Sequence, residues 1–137
     1  MPRVSVWLIR TALLYLVAGA GLGGMLLAWP GIGGPHWWRA HAELMLIGWT
    51  LQLALGVAYW ILPKHAAGSA LGPKPLALAI YPALNVGIAV CVVAWLALLP
   101  AIVLTTGRLL EFSAVGMFAI VAWRRVKAFG AGRRAVA

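Results

Sequence analysis

Apolar residues fill most of this 137-residue chain in four long stretches, which proline, glycine and basic residues separate. The stretches cover about residues 6–29, 40–62, 76–99 and 102–123. Each is long enough to cross the hydrocarbon core of a bilayer as a helix, which takes roughly 20 apolar residues. The pattern predicts an all-α fold, an integral membrane four-helix bundle over residues 1–128.

Prolines and glycines place the connections between these predicted helices. Pro30 and Pro35 fall in the glycine-rich loop after the first stretch, residues 63–75 break the chain before the third, and Pro100 marks a short turn before the fourth. Pro82 lies inside the third stretch. We expect it to kink that helix or to shift its start, which membrane helices tolerate.

Composition supports the membrane assignment and removes one class of partner. Hydrophobic residues make up 64% and charged residues 9% of the chain, and the mean hydropathy is +0.98. Soluble domains are nearer half apolar and a quarter charged. The formal net charge of +9 therefore indicates basic loops beside a membrane, and nucleic acid is not expected as a partner.

The distribution of basic residues predicts the orientation of the helices. Only Arg39 and Arg108 fall on one side of the predicted topology. The other nine lie on the opposite side: Arg3, Arg10, Lys64, Lys74, Arg124, Arg125, Lys127, Arg133 and Arg134. Because cytoplasmic loops carry the excess of Lys and Arg, both termini are predicted to be cytoplasmic, in the inner membrane. Residues 129–137 then form a basic cytoplasmic tail at the lipid surface.

Ionisable residues converge at the outer ends of two predicted spans. His41 and Glu43 begin the second span, and Arg108 and Glu111 lie early in the fourth. His36 falls in the outer loop. Charged groups are costly in lipid and mark functional sites by default. Arg108 and Glu111 are three residues apart and can form an ion pair, so these two and Glu43 are also candidates for a purely structural polar group.

Helical periodicity defines a stripe on the second span. At 3.6 residues per turn, one face carries His41, Met45, Gly48, Gln52, Gly56 and Tyr59. Small residues on that face admit a neighbouring helix or a flat cofactor. Glu43 lies about 200° round from His41, so the two side chains are expected to point apart. Gly19 and Gly23 form a small-xxx-small pattern that favours close helix contact.

The run from His41 through Gly48-Trp49 to Tyr59-Trp60-Ile61-Leu62-Pro63-Lys64 resembles the second membrane helix of haem-copper oxidase subunit I. The likeness is greatest to the cbb3-type and nitric-oxide-reductase-like branch. It implies a short four-helix relative in which His41 is an axial ligand of haem b and Gly48 and Met45 line the cofactor. A homodimer would supply a second His41, and Arg108 would neutralise the haem propionates. The chain would serve electron transfer or belong to a larger respiratory complex.

Alternatives of other classes remain open. The family's copper-site histidines have no counterpart here, so reduction of oxygen or nitric oxide by this chain alone is not expected. The chain is alternatively a cofactor-free accessory or assembly subunit, in which the polar cluster locks helices together. A copper-handling variant would use His36, His41 and Met45. A small transporter would depend on Glu43, but the glycine-rich first span and the lack of an acid in the first and third spans argue against it. Cys91 is interpreted as packing.

Overall fold

A computed structural model describes residues 1–62, 74–123 and 125–126, and of Lys74 the backbone alone. Within these ranges the chain is helical and contains no strand. The elements are α1 (Arg3–Ala28), α2 (Gly34–Glu43), a π-helical segment (Leu44–Leu51), α3 (Gln52–Ile61), α4 (Lys74–Leu96) and α5 (Ala101–Trp123). His65 and the predicted tail 129–137 lie outside the described residues.

Four helices of the described chain are long and apolar enough to cross a membrane, as predicted. The second of them runs without a break over Gly34–Ile61, through α2, the π-helical segment and α3. We call this helix the second span. The predicted all-helical architecture, with four helices of sufficient length and hydropathy to span a membrane, is therefore confirmed for the described residues.

The second span begins six residues earlier than the predicted residue 40. Gly31, Gly33 and Gly34 have φ values of 102°, 74° and 61°, a left-handed backbone that glycine adopts without a steric penalty. Pro35 then lies in the first helical turn, where its missing N–H costs no hydrogen bond and its fixed φ suits the helix. Residues 36–39 are consequently helical, and the prediction that they form an outer loop is wrong.

The third and fourth spans form a hairpin with a short turn. α4 continues through Pro82 and ends at Leu96, three residues before the predicted residue 99. The turn contains Leu98 at a φ of 53°. α5 then begins at Ala101, directly after Pro100. The proline thus separates the two helices as the sequence predicts. The turn begins directly after Leu96, so the last residues of the predicted third helix belong to it.

A π-helical segment follows Glu43 directly and covers Leu44–Leu51. The sequence pattern did not predict it. Within it, the Thr50 hydroxyl donates a hydrogen bond to the carbonyl oxygen of Met45 at 2.9 Å, five residues earlier. Such segments are rare and occur frequently at functional sites. Here the segment separates the polar start of the second span from its apolar remainder.

The helices pack as two antiparallel pairs with α4 in the centre. α1 lies along the second span and α5 lies along α4, while α4 also contacts α1 and the second span. Side chains such as Leu8, Leu55, Ile80 and Leu84 form the core. Tyr15 joins the pairs by donating a hydrogen bond to Asn85 Oδ1 at 3.0 Å. α5 therefore lies at one edge of the bundle.

Arg125 closes the end of the bundle near the N-terminus. Its side chain is buried, and Nη2 donates hydrogen bonds to the carbonyl oxygens of Tyr59 at 2.8 Å and Leu62 at 2.7 Å. The guanidinium also lies 5.0 Å from the centre of the Tyr59 ring. The last carbonyls of a helix have no partner within the helix. Arg125 supplies hydrogen-bond donors to two carbonyl oxygens at the end of the second span.

We expect Arg125→Ala to lower the free energy of unfolding by about 2 to 3 kcal/mol, because buried carbonyls lose hydrogen bonds from a charged donor. Val126→Ala is the matched control, since Val126 is largely exposed. Equilibrium unfolding in mixed micelles measures both changes. Equal effects of the two substitutions would contradict the capping role of Arg125.

Candidate functional site

Arg108 holds two glutamates from different helices. Its Nη1 and Nη2 meet the two carboxylate oxygens of Glu43 at 2.9 and 2.5 Å, in a bidentate arrangement. Nη1 also donates to Glu111 Oε2 at 2.8 Å. We call these three residues the ion triad. It links the second span to α5, which otherwise packs chiefly on α4.

The ion triad is buried on its acidic side and open on its basic side. Glu43 and Glu111 are 3% and 6% exposed, whereas 45% of the Arg108 side chain is accessible. Two carboxylates face one guanidinium, which leaves an excess of negative charge in an apolar environment. Charges at membrane depth normally pair with one another. The ion triad is therefore neutral when one carboxyl holds a proton or when a further cation binds.

His41 lies between α1 and the second span. Its Nδ1 donates a hydrogen bond to the carbonyl oxygen of Gly19 at 2.8 Å. The ring abuts Gly23, where an added Cβ would lie 2.5 Å from His41 Cε1. Trp38 meets the ring edge to face, at 5.9 Å between centroids. Glu43 turns instead to α5, so the two side chains point apart.

Met45, Gly48 and Gln52 of the predicted stripe also face α1. A Cβ added at Gly19 would lie 2.7 Å from Met45 Sδ, and one added at Gly48 would lie 2.8 Å from the Tyr15 ring. Gln52 Nε2 donates to the carbonyl oxygen of Leu8 at 3.2 Å. The small residues thus admit a neighbouring helix, which was one of the two occupants that the periodicity allowed.

His36 and Arg39 occupy the start of the second span. His36 precedes His41 by five residues, which places it about 140° round the helix. His36 and His41 therefore do not share a face. The Arg39 guanidinium lies 4.8 Å from the centre of the Trp95 ring. Arg39 and Trp95 line a groove of about 370 Å³ together with Ala42, Glu43, Leu46, Ile47 and Arg108.

The sequence pattern did not predict that Cys91 lies beside Glu43 and Glu111. Its thiol is fully buried between α4 and α5. The Sγ atom and one carboxylate oxygen each from Glu43 and Glu111 lie within 4.8 Å of one another. The three residues come from three different spans, so no spacing in the sequence indicates this cluster. The one available signal was that Cys91 and both acids fall in the outer halves of their predicted helices.

The contacts of His41 leave no room for a haem on the side of the ring that faces α1. The Nδ1 hydrogen bond to a backbone carbonyl orients the ring and, in the neutral form, leaves the lone pair on Nε2 for a metal. The face toward α1 is occupied, because Gly19, Gly23 and Gly48 are all in contact with side chains. Arg108 is bound by Glu43 and Glu111. A haem would therefore lie outside the interface of α1 and the second span.

Comparison of the chain with protein-family models, with curated proteins and with solved structures finds no match in any of the three. The resemblance to oxidase subunit I therefore depends on the run that begins at His41.

Proposed function

We propose that this protein is an accessory or assembly subunit of a respiratory-type membrane complex, and that it carries no haem within its own helix bundle. The observation that carries this proposal is the use of the candidate ligands as contacts between helices. His41 joins the second span to Gly19 of α1, and Arg108 joins Glu43 to Glu111. These groups stabilise one arrangement of spans.

The outward faces of the spans support association with other membrane components. Between 17% and 33% of the residues in the most apolar window of each span are buried. Large apolar side chains stay uncovered along α1 and α5, among them Val17, Leu27, Ile102 and Phe112. Lipid covers such surfaces in an isolated subunit, and helices of a second copy or of a larger respiratory complex cover them in an assembly.

The proposal includes a location in the inner membrane with both termini in the cytoplasm. The support is the distribution of basic residues, with nine of 11 on the side of the termini. Under this orientation the ion triad and His41 lie in the outer leaflet half of the bundle. They would face the compartment outside the cytoplasm.

A second candidate function is binding of haem b by His41. The hydrogen bond from Nδ1 to Gly19 favours it, because protein ligands to metals commonly donate their second ring N–H to a carbonyl. In this reading His41 would hold the haem iron through Nε2, and His41 of a second copy would complete the site. The haem would provide one-electron transfer when bound.

An absorption spectrum of the purified protein separates the two functions. The chain is produced in haem-replete cells, purified in mild detergent, and compared with His41→Ala and His36→Ala. Under the accessory-subunit proposal, wild type and both variants are expected to show no Soret band. In a second preparation, from native membranes, oxidase or reductase subunits are expected to co-purify with the wild-type protein. A Soret band in wild type and His36→Ala that is absent from His41→Ala would overturn that proposal and establish the haem function. Copper analysis of the same samples tests the set His36, His41 and Met45.

A further inference from the structure

The closest contact between α4 and α5 surrounds Cys91 and Glu111. A Cβ added at Gly87 would lie 2.9 Å from the carbonyl oxygen of Gly107 and 2.8 Å from Glu111 Cγ. A Cβ added at Gly107 would lie 2.5 Å from Cys91 Sγ. The two glycines thus bring the helix backbones together and position the thiol and the carboxylate beside each other.

The same cluster has an unused acceptor. Glu111 Oε1 is buried without a hydrogen-bond partner within the described residues, while Oε2 accepts from Arg108. A buried acceptor without a partner destabilises the fold, and a charged one does so most. Glu111 is 94% buried, the complement of its 6% exposure. Such an atom in a native fold needs an explanation, and an ion bound beside it is one.

We propose that Glu43, Cys91 and Glu111 form a binding site for a divalent transition-metal ion of the Zn²⁺ type. Carboxylate oxygen and cysteine sulfur are both zinc ligands. Mg²⁺ and Ca²⁺ prefer sets of oxygen ligands alone, and the softer Cu⁺ prefers sulfur. The donor set therefore favours a borderline ion, and this site is distinct from the histidine and methionine set considered for copper.

Charge and distance agree with a divalent ion. Two carboxylates and a thiolate beside one guanidinium sum to a charge of −2, which one divalent cation cancels. Bonds of about 2.0 to 2.3 Å in a tetrahedral site separate neighbouring ligands by roughly 3.5 Å. The three ligand atoms lie within 4.8 Å of one another. The three atoms must therefore approach one another to bind an ion, and water would supply the fourth ligand of a tetrahedral site.

The groove of about 370 Å³ gives the site a route to the surface. Glu43 lines it, together with the accessible Arg108. Glu43 is thus the ligand that the groove reaches, while Cys91 and Glu111 lie behind it between α4 and α5. Binding converts the Cys91 thiol to the thiolate, and the released proton leaves by the same groove. This inference does not depend on the proposed function, because the ligands are all within one chain.

Titration with Co²⁺ tests the site, because cobalt substitutes for zinc and absorbs strongly when a thiolate binds it. The full chain is purified in detergent without metal and compared with Cys91→Ser, Glu43→Gln and Glu111→Gln, with His41→Ala as the matched control. Wild type and His41→Ala are expected to bind about one ion with the thiolate band, which Zn²⁺ then displaces. Cys91→Ser should lose the band, and each Glu→Gln change should weaken binding at least tenfold. Thermal unfolding of wild type should shift upward with Zn²⁺ and not with Mg²⁺.

Three results would overturn the site. The first is a wild-type titration without the thiolate band and without a zinc-dependent shift in Tm. The second is a band that survives both Glu→Gln changes at full affinity, which would indicate a lone thiol. The third is loss of the band in His41→Ala. The measurements on wild type decide the question even where a variant fails to fold, and gel filtration identifies such variants.

Discussion

Replacing Arg108 with leucine is expected to lower the free energy of unfolding by about 3 kcal/mol. The substitution leaves Glu43 and Glu111 facing each other with no positive charge between them, and both are more than nine-tenths buried. Removing one partner of a buried ion pair typically costs about 3 to 5 kcal/mol. We take the lower end because nearly half of the Arg108 side chain is accessible. Unfolding in mixed micelles measures the change.

The control is a triple variant that carries Arg108→Leu together with Glu43→Gln and Glu111→Gln. It removes all three charges, and replacing a whole buried ion group by uncharged residues is often close to neutral. We therefore expect the triple variant to recover most of the stability that Arg108→Leu loses. A triple variant as unstable as the single one would mean that the packing of the Arg108 stem, and not its charge, stabilises the bundle.

Gly87→Ala is expected to destabilise the hairpin of α4 and α5 by about 1 to 3 kcal/mol through overpacking. The added Cβ would lie 2.9 Å from the carbonyl oxygen of Gly107 and 3.0 Å from the backbone nitrogen of Glu111. Backbone atoms cannot move aside as a flexible side chain can, so the helices must separate. Separation also moves Cys91 away from Glu111, and Co²⁺ binding should weaken in the same variant.

Gly116→Ala is the matched control on α5. A Cβ at Gly116 meets nothing within 4 Å, and exchanging glycine for alanine within a helix favours the helix by about 1 kcal/mol. The control is therefore expected to be neutral or slightly stabilising in the same unfolding measurement. Equal losses at Gly87 and Gly116 would contradict close backbone contact as the cause.

Local patterns predicted the parts of the structure that depend on neighbours in the sequence. Length and hydropathy identified four spans. The 3.6-residue period placed His41, Met45 and Gly48 on one face, and the i,i+3 spacing brought Arg108 to Glu111. The predicted start of the second span was wrong, because three glycines and Pro35 are typical of a loop. In the structure the proline belongs to the first helical turn.

The sequence by itself therefore determined four apolar helices long enough to span a membrane, with His41, Arg108 and the two glutamates near one end, because hydrophobic length and periodicity are properties of each helix alone. The tertiary structure decided which groups meet. It joined Glu43 to Arg108 across 65 residues, set Cys91 beside two glutamates, and turned His41 into the interface with α1. Such contacts follow from how whole helices pack, and helix packing depends on surfaces that no single stretch of sequence contains.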